Sequence, residues 1–188
     1  MILNKTKIDR QINTKNAIRW CLKNYQDGNL FSENQRFVNR KSEIVNLKYL
    51  CGLMVYLTRV EHFNAAHKLY NPAWSREKND EVFGKCANEN WHGHNYEIHV
   101  TVKGEPDPDT GFIVDVKQLG GLVKEHVLDK VDHRNLNMDV DFMAGKMCST
   151  EIFVMEIWKQ LQPHIKGGKL YQIRLYETPR IYVDYFGE

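Results

Sequence analysis

From residue 54 onward the chain predicts an α+β fold, with helices gathered on one face of an antiparallel sheet. Two observations carry that expectation. Segments of β-forming composition cluster at the two ends of this stretch, and helical periodicities cluster between them. Within 92–103, Tyr96, Ile98, Val100 and Val102 leave by one face, while Glu97, His99, Thr101 and Lys103 leave by the other. A strand that alternates in this way turns one side to a core and the other to solvent.

The elements follow in order. A first strand spans 55–66, and Asn71-Pro72 ends it. A polar stretch runs to Glu81, and the second strand spans 92–103. Gly104-Glu105-Pro106-Asp107-Pro108-Asp109-Thr110-Gly111 is a long turn, and 112–115 is a short strand leading into a helix over 116–131. In that helix Leu119, Leu122, Val123, His126 and Val127 recur at helical spacing. A loop over 132–137 ends this unit. A second helix spans 150–161, with Ser149 or Thr150 as its N-cap and Pro163 beyond its end. The chain closes with a strand pair, 169–177 and 181–185, joined by Thr178-Pro179-Arg180. No internal repeat is evident.

Residues 1–53 read as an N-terminal extension ahead of a domain over 54–188. They lack sustained periodicity; 17–22 and 44–50 are candidate short helices around the turn signal Asp27-Gly28-Asn29. The extension holds ten Lys and Arg against four Asp and Glu, whereas 54–188 holds sixteen against twenty. A mildly acidic body argues against nucleic-acid binding as the main task, and the basic leader reads as a solvated segment. No apolar run approaches the roughly 20 residues that span a bilayer, and the first residues carry no signal-peptide core. The four cysteines (Cys21, Cys51, Cys86 and Cys148) are scattered with no CxxC pair, so the expected setting is a reducing cytoplasm.

The chemistry concentrates in Gly84-Lys85-Cys86-Ala87-Asn88-Glu89-Asn90-Trp91-His92-Gly93-His94. Side chains at i and i+2 of a strand share a face, so His92 and His94 can point at one metal ion. A third imidazole, His67, ends the first strand. Three neutral imidazoles with an open fourth position form the ligand set of a catalytic zinc, the alternatives being a closed structural site or ordinary hydrogen-bonded histidines. A thiol such as Cys86, beside a dication and an imidazole, is largely thiolate near neutral pH and can move protons.

Five ordered signatures resemble the 6-pyruvoyltetrahydropterin synthase family over 55–188 and leave 1–53 uncovered. They are Phe63-x-Ala65-x-His67, the cysteine–histidine block through Asn95-Tyr96, Leu128-Asp129-x-x-Asp132-His133-x-x-Leu136, Thr150-Glu151, and Tyr176-Glu177. The resemblance implies a tunnelling fold: a four-stranded antiparallel sheet with two helices on one face, in the order β-β-α-α-β-β. It also implies a homohexamer of two trimers with active sites at subunit boundaries. The implied activity is that of a zinc-dependent carbon–oxygen lyase in tetrahydrobiopterin biosynthesis. It converts 7,8-dihydroneopterin triphosphate to 6-pyruvoyltetrahydropterin and triphosphate without an external redox cofactor. The resemblance makes His67, His92 and His94 the Zn²⁺ ligands and Cys86, Asp132 and His133 the proton-transfer groups. It makes Glu177 the pterin anchor, accepting from an exocyclic amine and a ring N–H at once. Thr150 and Glu151 are implied as further substrate contacts, and Lys68, Lys85 and Arg134 are candidate cations for the triphosphate.

A related branch, 6-carboxytetrahydropterin synthase of queuosine biosynthesis, takes the same substrate and also releases acetaldehyde. It has a shorter CxxxHGH spacing, whereas five residues separate Cys86 from His92 here. Gly111-Phe112-Ile113-Val114-Asp115, however, resembles that branch. A third branch carries glutamate in place of the cysteine, and Cys86 argues against it. From other classes, a non-catalytic pterin- or purine-binding protein would not need the thiol and the Asp–His pair. A nucleic-acid-associated protein would rest on the basic leader alone.

Overall fold

The computed structural model describes residues 54–188 together with the backbone of 36–38 and 44–46. The chain divides into two compact units, Met1–Met54 and Val55–Glu188. In the first, β1 (Arg36–Val38) and β2 (Ile44–Asn46) pair antiparallel, with Arg36 opposite Asn46. The helix expected over 44–50 is therefore a strand at its start, where Ile44 and Val45 are β-branched and suit an extended backbone. The candidate helix over 17–22 lies outside the described residues.

The second unit is built on two long strands, β3 (Val55–His67) and β4 (His92–Gly104), paired antiparallel so that Val55 faces Gly104 and His67 faces His92. β6 (Lys169–Thr178) and β7 (Ile181–Tyr185) continue the antiparallel run. The four-stranded antiparallel sheet expected is present, but it gains a fifth member. Arg134–Asn135 forms a short β5, parallel to β3 at Ala65 and Ala66, inside the segment expected to be a loop. Two backbone bonds draw it in, from His133 N to Asn64 O (2.6 Å) and from Leu136 N to Ala66 O (2.8 Å). The order is β5-β3-β4-β6-β7.

Two helices cover the apolar face. The helix over 116–131 (α2) comprises Val116–Val123, a π-helical stretch Lys124–Leu128, and a last turn Asp129–Val131. Its Leu119, Val123, Val127 and Val131 are fully buried. The helix Thr150–Leu161 (α3) has the expected bounds and is capped by the Ser149 hydroxyl, which accepts from Ile152 N. Phe153, Ile157 and Leu161 of α3 meet Phe63, Ile98 and Val100 of the sheet in one core. Full burial of such side chains stabilises the fold by about 1.5–3 kcal/mol each.

Two further departures from the sequence reading frame the site. Arg76–Phe83 is a helix (α1) in what read as a polar stretch, followed by a 3₁₀ turn at Gly84–Ala87. Ser75 caps α1, and the buried Asn79 amide donates to the carbonyls of Asn71 and Ser75. Residues 112–115 do not form a strand. Ile113 and Val114 instead insert into the core as a plug, and Asp115 caps α2 by accepting from Lys117 N at 2.7 Å. The opposite face of the sheet is polar. Glu97 accepts from His62 and His99, and Arg174 grips Asp184 with two bonds of 2.7 and 2.8 Å. Among the described residues, no helix is long and apolar enough to cross a membrane.

Candidate active site

Strand register assembles the three imidazoles. His67 closes β3 directly opposite His92, which opens β4, and His94 stands two residues further along the same face. One ligand atom from each lies within 4.8 Å of the others. Gly93 between them is required by the close approach of β3. A Cβ there would come 3.1 Å from the Ala65 carbonyl oxygen, pushing the strands apart where the imidazoles meet.

His67 is 1% exposed, and its Nδ1 lies 2.7 Å from the Cys148 carbonyl oxygen. A carbonyl only accepts, so the proton is on Nδ1 and Nε2 presents its lone pair to the other two rings. Nε2 of His67, both ring nitrogens of His92 and Nε2 of His94 are buried without hydrogen-bond partners. Burial lowers the pKa of His92 and of His94, and the other two imidazoles push His92 further the same way. His92 and His94 therefore favour the neutral form that binds metal.

Glu177 reaches the same point from β6. Its Oε1 is 3.3 Å from Nε2 of both His67 and His94. With the His67 proton on Nδ1, this sets two acceptors face to face, an arrangement that a shared cation stabilises. Thr150 is buried as the first residue of α3, while its neighbour Glu151 points to solvent. Tyr96, next along the face of His92 and His94, is 1% exposed with an unpartnered hydroxyl. Burial and the Glu177 charge push its phenol well above the ordinary range, so it stays protonated.

The proton-transfer candidates are not members of the tight three-imidazole group. Cys86 is half-buried in the 3₁₀ turn, and its carbonyl accepts from Leu69 N at 2.8 Å, which clamps its segment to the end of β3. Its thiol is not part of the three-imidazole group. Asp132 and His133 hang on the sheet edge at Asn64. Asp132 Oδ1 accepts from Asn64 N at 2.9 Å, which is the main cause holding its carboxyl below the usual range. The same oxygen is 2.9 Å from His133 Nδ1, and the His133 side chain is 76% exposed. His133 adopts a left-handed φ of 58°. An open cavity of about 580 Å³ is lined by both His94 and His133, together with Gly93 and Arg134. Of the other candidate cations, Lys85 is exposed, and the Lys68 ammonium stands 4.4 Å from the Trp91 ring and 5.4 Å from that of Tyr70.

The sequence reading missed the Cys148 carbonyl, since a backbone acceptor leaves no signature. It also left Tyr96 as a core residue, although its alternation with His92 and His94 already set it on the ligand face.

This is the tunnelling fold, with a buried imidazole cluster at one end of its sheet. Residues 56–188 match the family described as 6-pyruvoyl tetrahydropterin synthase, and the chain belongs to that family. It is 44% identical over 126 residues to the 6-pyruvoyl tetrahydrobiopterin synthase of Pongo abelii, covering 67% of this chain and 87% of that protein. The solved structure of Caenorhabditis elegans 6-pyruvoyl tetrahydropterin synthase matches with a TM-score of 0.68 at 38% identity, covering 72% of this chain and 96% of that one. The 6-carboxy-5,6,7,8-tetrahydropterin synthase of Bacillus subtilis is 29% identical over 136 residues, covering 69% and 83%.

Proposed function

We propose that the chain is a zinc-dependent lyase that converts 7,8-dihydroneopterin triphosphate to 6-pyruvoyltetrahydropterin with loss of triphosphate. The observation that carries this reading is the set of partnerless imidazole nitrogens, within 4.8 Å of one another and facing a carboxylate. Three neutral nitrogen donors suit Zn²⁺ and leave a position open. When bound, the ion supplies Lewis-acid polarisation of a side-chain oxygen of the substrate.

The remaining work falls to the chain's own groups. His67, locked in one tautomer by the Cys148 carbonyl, offers Nε2 without reorganising. Glu177, kept ionised, accepts from the two adjacent donors of the pterin ring, and Thr150 steadies it. Glu151, beside Thr150 at the start of α3, is a further contact to the ring. Cys86 removes and returns a carbon-bound proton. His133 relays protons while Asp132 orients its ring. Lys68, Lys85 and Arg134 receive the triphosphate. Because the dyad is exposed at an edge, the site is completed between subunits of a hexamer made of two trimers. Residues 1–53 stand outside the catalytic domain.

The five-residue spacing between Cys86 and His92 and the 44% identity to a pyruvoyl-named relative support this product over the 6-carboxy alternative. Mass spectrometry of the product formed without added reductant tests it. The pyruvoyl compound is expected, acetaldehyde release identifies the alternative, and unchanged substrate overturns both.

A further inference from the structure

None of these roles uses Tyr96. Among the side chains on the inward face of β4, it is the polar one left over once His92 and His94 are assigned. Its ring stacks on Phe63 at 5.0 Å and stands edge-on to Phe153 at 5.8 Å, which leaves it little freedom to turn. The ring lies 5.7 Å from that of His94 and 6.3 Å from that of His67. Phenylalanine would fill this space without burying an unpartnered hydroxyl, whose desolvation nothing offsets. The hydroxyl therefore calls for a partner inside the site.

Strand register identifies that partner. β4 and β6 pair Ile98 with Leu175 and Glu97 with Tyr176. Continued one step past that last pair, the same register sets Tyr96 across from Glu177. An ionised carboxylate only accepts, and Oε1 of Glu177 is turned toward two imidazoles. Its second oxygen is the acceptor that a phenol on the same cross-strand row can serve.

We propose that Tyr96 is a positioning residue for Glu177: its hydroxyl donates, through one enclosed water, to the carboxylate and holds it toward the donors of the pterin ring. The proposal rests on the reading of Glu177 as the pterin anchor and adds the group that aims it. A water bridging the Tyr96 hydroxyl to the Glu177 carboxylate, which the Thr150 hydroxyl also contacts, would have three polar neighbours. That matches the about three bonds a buried water makes. The hydroxyl makes no hydrogen bond to the metal ligands' nitrogens or to the proton-transfer groups, so its effect belongs to binding and not to the chemical step.

The test is Tyr96→Phe in the full-length chain. Zinc content should be unchanged, the melting temperature equal or higher, and kcat within about twofold. KM should rise about tenfold, as should the dissociation constant of a phosphate-free reduced pterin measured by calorimetry, equivalent to about 1.4 kcal/mol. In a Glu177→Gln background the same change should add nothing, because the group it aims is gone. Unaltered KM and pterin affinity in Tyr96→Phe would mean the hydroxyl is merely buried, and the proposal falls. A fall in kcat at constant KM would also overturn it, by putting the phenol in the chemistry. If Glu177→Gln binds the pterin as wild type does, the anchor itself is wrong and Tyr96 goes with it. If Glu177→Gln is weakened while Tyr96→Phe is not, only the Tyr96 role is lost.

Discussion

The imidazole cluster and the Asp132–His133 pair occupy adjoining parts of one sheet, yet they are held by opposite means. His67, His92 and His94 are placed by long-strand register, with His67 fully buried and the unpartnered ring nitrogens of all three shielded from solvent. Asp132 and His133 are placed by three hydrogen bonds to and beside Asn64 on an open edge, with the His133 ring largely in solvent. The difference suits the roles proposed for each. Ligands bind best when they are dry, neutral and unable to reorganise. A proton relay must reach water and carry charge, which burial would forbid. One half is fixed by the strands themselves; the other is tethered at an open edge.

The sharpest way to break this comparison is to remove a ligand. His92→Ala should abolish both zinc binding and turnover, measured by metal analysis and product assay, and full zinc stoichiometry would refute the ligand set. Cys86→Ala should strike only the second half: kcat falls by about 10²–10⁴-fold while zinc content and pterin affinity hold. Turnover close to wild type would remove the thiol from the chemistry. Glu177→Gln sets an amide donor against a substrate donor, so pterin affinity should weaken by about one to two tenfold steps, at about 1.4 kcal/mol per step. Calorimetry decides this, with zinc content as the control.

A gentler contrast comes from pH. Burial lowers the pKa of His92 and His94 in the folded chain, whereas unfolded imidazoles titrate near about 6.5. The unfolded state thus binds more protons as pH falls through that value, and folding stability drops with it. The melting temperature of zinc-stripped protein should hold above about pH 6.5 and decline below it toward the depressed folded values. A flat profile from neutrality into that range would contradict the dry, neutral cluster. The smallest effect is expected from deleting 1–53. A chain starting at Met54 retains every site residue and should match the full-length kcat and KM; an insoluble product would make the leader part of the fold.

Much of the sheet was legible because β4 alternates cleanly, and α3 because Ser149 and Pro163 bracket an apolar stripe. α1 was not, since Arg76-Glu77-Lys78-Asn79-Asp80-Glu81 has no apolar stripe and is held by a cap and a buried amide. Residues 112–115 carry strand composition, but no neighbouring strand meets them, and composition cannot report a missing partner. β5 exists through two backbone bonds to β3, contacts that no local pattern encodes. At the site, His67, His92 and His94 were readable from strand periodicity. The edge on which Asp132 and His133 sit was not, because spacing along a chain says nothing of which edge a loop will find.

The π-helical stretch at Lys124–Leu128 governs where Asp132 and His133 leave the helix. Each bond there closes over one more residue than in an α-helix, so the chain leaves α2 roughly 100° out of phase with an uninterrupted helix. Leu119, Val123, Val127 and Val131, four residues apart, would drift round a regular helix; with the wider winding they share one buried line. The same offset delivers Asp132 to Asn64. The helix thus works as a gear of fixed tooth count between core and edge. Removing one residue from this stretch would leave a sound helix whose last turn hands the carboxylate to the wrong side.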